Sequence, residues 1–295
     1  MLTLEQLADL AARHGDATAA RVREFSVGGP RLAFQSRPAV MGVLNLSPDS
    51  WYRESVCLTE EMALRRGRVL AAQGADLLDL GAESTLAHAA RVDAPGQTAK
   101  LLPVLRGLRA AGLPVSIETY SPAVSQACLE AGANVLNLTG PGRSDEIYRM
   151  VAAQDAAVII CYVQGEHVRA VGDFDFGADP IALMYDYFAR ESERATQAGV
   201  QKIFLDPGLG FYYRNLQDSA VRVRHQMRVF LNAFRLRTLG WPICQALPHA
   251  FEFFGEEVRC AEPFFGVLAA LGKTDLFRTH EVPRLRAVLA ALSVY

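Results

Sequence analysis

No stretch of this sequence reaches 18 consecutive apolar residues, so no segment reads as a bilayer-spanning helix. The first residues carry Glu5 and Asp9 and no long apolar core, which argues against an export signal. Five cysteines, Cys57, Cys128, Cys161, Cys244 and Cys260, form no Cys-x-x-Cys pair and leave an odd count. Neither a cysteine-based zinc motif nor a disulfide framework follows, and a reducing, cytoplasmic setting is expected. An excess of one charge is also lacking: 30 Lys and Arg stand against 32 Asp and Glu, a net charge of −2. That balance supplies no general attraction for nucleic acid or an anionic membrane, so the expected partner is a small molecule, with room left for a local basic pocket. No low-complexity or linker-like composition divides the 295 residues, of which 51% are hydrophobic. The expectation is an N-terminal extension over 1–37 followed by one large domain over 38–295.

What is present is an alternation of strand and helix patterns. Leu4, Leu7, Leu10 and Ala11 share one side of a short amphipathic helix over 3–14, and 21–36 reads as two short strands around Gly28-Gly29-Pro30. This leader is expected to cap one end of a barrel. Strand patterns then fall at 38–44, 75–80, 114–117, 133–137, 156–161, 202–205, 241–245 and 275–278. The helical patterns between and after them are 60–73, 95–111, 122–131, 144–153, 180–198, 218–238, 260–272 and 283–293. Eight strands, each followed by a helix, over about 255 residues, predict an α/β protein of the (β/α)8 TIM-barrel class, which typically needs about 250. A doubly wound open sheet is the rival architecture, and the count and size favour the barrel.

A barrel of this kind carries its chemistry where the strands end. The first strand runs out in Met41-Gly42-Val43-Leu44-Asn45-Leu46-Ser47-Pro48-Asp49-Ser50, whose short polar groups suit a charged ligand or a metal-bound oxygen, or an ordinary turn. Polar residues recur at nearly every later strand end: Asp79 with Glu83, Ser84 and Thr85, then Glu118 and Thr119, Asn137, Gln164, Asp206, Gln245 with His249, and Arg278 with His280. Helix capping by Ser84, Thr85 or Ser121 accounts for part of this pattern. Asp206 closes the apolar run Ile203-Phe204-Leu205 and needs a donor there, which points to ligand recognition over a turn cap. With Asn137 and Glu118 it would form a wall of acceptors and amides suited to a flat heterocycle bearing amino and ring N–H groups. Arg278 and His280, two apart on an extended strand end, would bind an anion, unless a helix residue pairs with them. His14, His88, His167 and His225 read as surface or loop histidines. Glu191 and Glu193, with Arg190 and Arg194, read as a solvated helix face.

Three long runs carry a resemblance: Met41 to Ser50, Gly74-Ala75-Asp76-Leu77-Leu78-Asp79-Leu80-Gly81-Ala82-Glu83-Ser84-Thr85, and Leu205-Asp206-Pro207-Gly208-Leu209-Gly210-Phe211. Ser116-Ile117-Glu118-Thr119-Tyr120, Val163-Gln164-Gly165 and Arg278-Thr279-His280-Glu281-Val282 add shorter echoes. The chain resembles the pterin-binding barrel family, and within it most resembles the dihydropteroate synthases. The resemblance implies that p-aminobenzoate's amine displaces pyrophosphate from the methylene of a dihydropterin diphosphate, with Mg2+ assisting the leaving group. It places Asn45 at the metal, Arg278 and His280 at the diphosphate, and Asp79, Asn137 and Asp206 in the pterin slot. Thr85 lies in the substrate loop, and Glu118 stands where the family has an aspartate. A homodimer is implied as well.

The sequence departs from the family on the acceptor side. Thr85 is followed by Leu86-Ala87-His88 where the family has Arg-Pro-Gly. Leu247-Pro248-His249-Ala250 stands where the family has Ser-Arg-Lys-Ser, leaving His249 in the lysine's place, and Phe211-Tyr212-Tyr213-Arg214 replaces a Gly-Lys turn. An imidazole is shorter than a lysine side chain and carries a different shape and charge. The expectation is therefore a synthase-like transferase with an altered acceptor pocket. Two alternatives stay open: a pterin- or folate-dependent methyltransferase working with a corrinoid carrier, and a non-catalytic paralogue acting through a protein partner. A metal-dependent hydrolase is disfavoured, because the first strand ends in Asn45 and not in a His-x-His pair.

Overall fold

The chain opens with helix α1 (Leu4–Arg13), started by Thr3, whose hydroxyl accepts from Gln6 N while the Gln6 side chain accepts from Thr3 N, a reciprocal capping box. A hairpin follows from β1 (Phe25–Ser26) and β2 (Arg31–Leu32). Its turn needs glycine at 28: the backbone there has φ +64°, and an added Cβ would lie 2.9 Å from Pro114 Cβ. The coordinates are a computed structural model describing all residues except 51, 85–88, 212 and 295.

From residue 39 onward eight parallel strands form one sheet: β3 (Ala39–Asn45), β4 (Leu77–Gly81), β5 (Val115–Thr119), β6 (Val135–Leu138), β7 (Ala157–Cys161), β8 (Ile203–Asp206), β9 (Cys244–Ala246) and β10 (Leu276–Thr279). They pair in chain order from β3 to β8, and β10 lies between β9 and β3. A single parallel bridge between Leu205 and Ile243 joins β8 to β9 and brings the barrel to near closure. The predicted (β/α)8 barrel is thus the observed architecture. Its strands are buried on both faces because helices cover the outside, which is why they read as continuous apolar runs.

The covering helices begin where side chains can take the first free backbone N–H groups. Thr59, Asp93, Asp179 and Asp218 each accept such a bond, at the starts of Glu60–Ala72, Ala94–Ala110, Pro180–Gln197 and Ser219–Asn232. The segment expected as one helix over 218–238 divides, its last part Ala233–Leu239 tightening into 3-10 turns that end at Gly240 with φ +79°. Between β9 and helix Ala261–Leu271 lie short helical turns, Phe251–Phe254 and Gly255–Cys260, that the periodicity did not reveal. Among the described residues no helix is long and apolar enough to cross a membrane.

Two side chains expected on the surface are inside. Glu191 is only 2% exposed, because the stripe Met184, Phe188, Glu191 and Ala195 faces the core; its carboxylate accepts from Tyr148 OH at 3.1 Å and Arg194 Nη1 at 2.6 Å. His225 is buried between Phe174 and Phe176, with ring centroids 4.6 and 5.3 Å away, and burial lowers it to about 4.

The leader closes the lower end of the barrel. Val22, Val27, Leu32 and Phe34 pack into one cluster with the interior residues Met41, Leu77, Val135, Ala157, Phe204, Cys244 and Leu276. Phe25 and Phe34 meet Phe204 edge to face at 5.1 and 5.7 Å. The barrel is therefore plugged below and open above.

Candidate active site

Side chains on a strand alternate between faces, so the residue two beyond an apolar interior position also points inward. Leu77 is followed in this sense by Asp79, Val135 by Asn137, Ile159 by Cys161, Phe204 by Asp206 and Leu276 by Arg278. The interior thus changes from apolar to polar within one repeat at the upper end. There a cavity of about 420 Å³ opens, with Asn45, Glu118, Asn137, Cys161, Asp206, His249, Arg278 and His280 in its wall. Asp79 lies at its base, fully buried. Thr85 and the segment Leu86-Ala87-His88 lie outside the described residues.

Arg278 organises the floor. Its Nε donates to Asp79 Oδ2 at 2.7 Å and its Nη2 to Glu118 Oε2 at 2.6 Å. Asn137 Nδ2 donates to the same Asp79 oxygen at 3.1 Å, while Asn137 Oδ1 accepts from Cys161 Sγ at 3.4 Å. Asp79 Oδ1 is buried with no hydrogen-bond partner among the described residues. Asp206 is fixed by the turn after it: Oδ1 accepts from Gly208 N at 2.8 Å. Gly208 has φ +74°, and an added Cβ would stand 2.2 Å from Tyr162 O, so only glycine fits.

Two carboxyl groups thus share one guanidinium, with the Asp206 carboxyl close enough to feel its charge. Burial pushes Glu118 up to about 7, against the pull of Arg278 and with help from the Asp79 and Asp206 charges. Asp206 rises to about 6, again mainly through burial, with the Gly208 N–H opposing. Arg278 is held above its ordinary value: burial opposes its charge, but Glu118 and Asp79 outweigh it. The floor is rich in acceptors and contains protons that can be gained or released near neutral pH, which suits a ligand edge carrying several N–H groups.

Arg278 and His280 do line one cavity, but neither is left as an open cation. The guanidinium turns inward because a buried charge needs partners, and His280 turns to the helix behind it, its Nδ1 2.7 Å from Glu262 Oε1. His249 Nε2 lies 3.3 Å from the same oxygen. Tyr52 stacks on the His249 imidazole with centroids 4.7 Å apart and packs at a tilt of 38° on His280 at 4.9 Å, and its hydroxyl bonds Glu281. Asn45 gives its amide hydrogens to Ser50 Oγ at 2.8 Å and Ser55 Oγ at 2.6 Å, so among the described residues its carbonyl oxygen is the group left to face a ligand. Gln245 instead donates to Thr274 Oγ1 at 2.8 Å and is absent from the cavity wall.

On the opposite rim Glu83 accepts from Tyr120 OH at 2.7 Å and Val92 N at 3.1 Å. Tyr120 stacks on His167 at 4.2 Å, and Arg169 donates to the carbonyls of Ser84 and Ala89, the latter at 2.8 Å. Sequence reasoning overlooked Tyr52, Arg169 and Glu262. Only Glu262 carried a signal, as a lone charge opening the otherwise apolar run Pro263-Phe264-Phe265-Gly266-Val267-Leu268.

Comparison with known proteins agrees with this geometry. The sequence profile of a family described as pterin binding enzyme matches residues 41–246. The dihydropteroate synthase of Streptococcus pyogenes serotype M6 is 28% identical over 275 residues, covering 89% of this chain and 97% of that protein. Dihydropteroate synthase type-2 of Escherichia coli is 31% identical over 261 residues, covering 86% and 95%. Among solved structures, the Burkholderia cenocepacia dihydropteroate synthase complexed with 7,8-dihydropteroate superposes with a TM-score of 0.77 at 27% identity, over 92% of this chain and 96% of that one. The Xanthomonas albilineans enzyme with 4-aminobenzoic acid gives 0.76 at 28% identity, over 92% and 97%. A profile match spanning β3 to β9, and an acceptor-lined barrel mouth built at the positions it covers, establish that this chain belongs to the pterin binding enzyme family.

Proposed function

We propose that this protein binds a pterin carried as its diphosphate and transfers the pterin methylene to an amine acceptor, through an acceptor pocket unlike that of the synthases it resembles. The observation that carries the reading is the floor of the cavity, where Asp79, Glu118, Asn137 and Asp206 gather around Arg278. A pterin presents a flat edge of amino and ring N–H donors, and Asp206 with Asn137 would hold that edge. Asp79 Oδ1, buried and without a hydrogen-bond partner among the described residues, is an acceptor that a ligand N–H group could satisfy after a small shift.

With the heterocycle on the floor, its methylene and diphosphate point toward the rim, where His280, His249 and Asn45 stand. In the transfer a C–N bond forms as the C–O bond to the diphosphate breaks, the electron pair leaves with pyrophosphate, and the amine releases one proton. Arg278 keeps the floor neutral enough to accept a partly cationic pterin ring, and His280 supplies an imidazole beside the departing anion. The free carbonyl of Asn45 is a hard oxygen donor that fits Mg2+ arriving with the diphosphate. Such an ion would neutralise charge on the leaving group. The acceptor side is where the proposal differs from a plain synthase: Pro248, His249 and Ala250 occupy the rim where the family carries its Arg-Lys-Ser run.

Isothermal titration with dihydropterin diphosphate and Mg2+ tests the reading. Binding is expected in wild type, and Asp206→Asn is expected to weaken it about 10- to 100-fold, the loss of one charged hydrogen bond of about 1.5–3 kcal/mol, while the fold is kept. No heat with wild type, or unchanged affinity in Asp206→Asn, would overturn it.

A further inference from the structure

His249, Glu262 and His280 meet at the rim of the cavity, and the transfer described above makes no use of Glu262. We propose that these three side chains form a site for a divalent transition metal ion of the zinc class, with its remaining coordination position turned toward the cavity. One ligand atom from each lies within 4.8 Å of the others. Two imidazoles and one carboxylate are a donor set that binds zinc and its neighbours, whereas Mg2+ and Ca2+ favour oxygen ligands.

The spacing fits. Ligands that stand about 2.0–2.2 Å from a tetrahedral ion are separated by about 3.4 Å. Glu262 Oε1 lies 3.3 Å from His249 Nε2 and 2.7 Å from His280 Nδ1, so only His280 has to move outward. His249 Nε2 is buried and has no hydrogen-bond partner among the described residues, although it faces a carboxylate oxygen. That nitrogen stands 3.3 Å from Glu262 Oε1, an ion pair when the ring is protonated, and a metal ion would take the place of the proton between them.

The carboxylate is already aimed. Glu262 Oε2 accepts from Thr279 Oγ1, from His280 N at 2.9 Å and from Glu281 N at 3.1 Å, which presents Oε1 to the two rings. Tyr52 packs against both imidazoles, stacked on His249 and tilted on His280, and so limits their rotation. The neighbouring Arg278 is neutralised by Asp79 and Glu118 and does not compete for the carboxylate.

The full chain, stripped with a chelator, is dialysed against Zn2+ and then Co2+ with no pterin present, so the outcome is independent of the pterin reading. The expected result is one ion per chain and the intense visible absorption of low-coordinate Co2+. His249→Ala and His280→Ala should each weaken binding by at least about 10- to 100-fold, the loss typical of disturbing even a supporting shell. Glu262→Gln also disturbs the 279–281 turn, so His249→Ala, which leaves those bonds intact, decides the matter. Substoichiometric zinc in wild type, Co2+ bound without the intense bands, or folded His249→Ala with wild-type affinity would each overturn the site.

Discussion

Arg278 Nη2 lies 2.6 Å from Glu118 Oε2 across the barrel mouth, and burial pushes that carboxyl up to about 7. A carboxyl raised in the folded state holds its proton more tightly there than in the unfolded chain, where its value is about 4.3. Its contribution to stability is therefore fully present below about 4.3 and is lost as pH rises through about 7. Glu118→Gln cannot titrate. Its unfolding free energy, measured by urea denaturation at pH 5 and pH 8, should decline less than that of wild type, by about 1–3 kcal/mol. An equal decline in both proteins would mean that Glu118 is ionised throughout.

Glu262 provides a second test, independent of any metal. It is wholly buried, and its carboxylate receives the Thr279 hydroxyl and two backbone N–H groups besides facing two imidazoles. Removing one partner of a buried charged network leaves the others without solvent or protein to bond. Glu262→Ala should destabilise the fold by about 3–5 kcal/mol in thermal or urea unfolding. A loss below about 1 kcal/mol would show that the 279–281 turn is held by packing alone.

How far the sequence could be read follows from these residues. The barrel was legible because each apolar strand and each amphipathic helix is a local pattern, and Asp206 was legible because an acid closing Ile203-Phe204-Leu205 has no local explanation. The use made of Arg278 was not legible. Its partner Asp79 is 199 positions away and becomes a neighbour only when β10 closes against β3, with Arg278 opposite Met41 and Val43 in turn opposite Asp79. Glu262 lies on a helix, away from the strand ends where a barrel carries its chemistry, so its place in the sequence did not mark it. Glu191 was misread because its charged neighbours hid a helical stripe that begins at Ile181 and runs through Met184 and Phe188.

The plug at the bottom of the barrel should matter to the whole domain. Phe34 is buried among Phe25, Phe204 and the interior ends of the strands. Its loss would open a cavity that a nearly closed ring of strands cannot collapse to fill. Phe34→Ala should cost about 3–5 kcal/mol, the range for a large core aromatic. A loss under about 1 kcal/mol would mean that the leader rests on the barrel without supporting it.

His225 acts on the pH profile in the opposite sense to Glu118. Burial against Phe174 and Phe176 lowers it to about 4, whereas the unfolded chain takes up its proton near about 6.5. The stability it permits is complete above about 6.5 and is lost as pH falls through about 4. His225→Phe keeps an aromatic ring in the pocket and removes the proton site, so it should stabilise the protein at pH 4 relative to wild type by about 1–3 kcal/mol and change little at pH 8. Glu118→Gln should instead act on the rise from pH 5 to pH 8. The two groups titrate over overlapping ranges with opposite sign, so one variant flattens a fall in stability and the other a rise, whereas a general change in packing would shift stability alike at every pH. If His225→Phe lowered stability equally at pH 4 and pH 8, the imidazole would be serving as a shape in the core and not as a suppressed base.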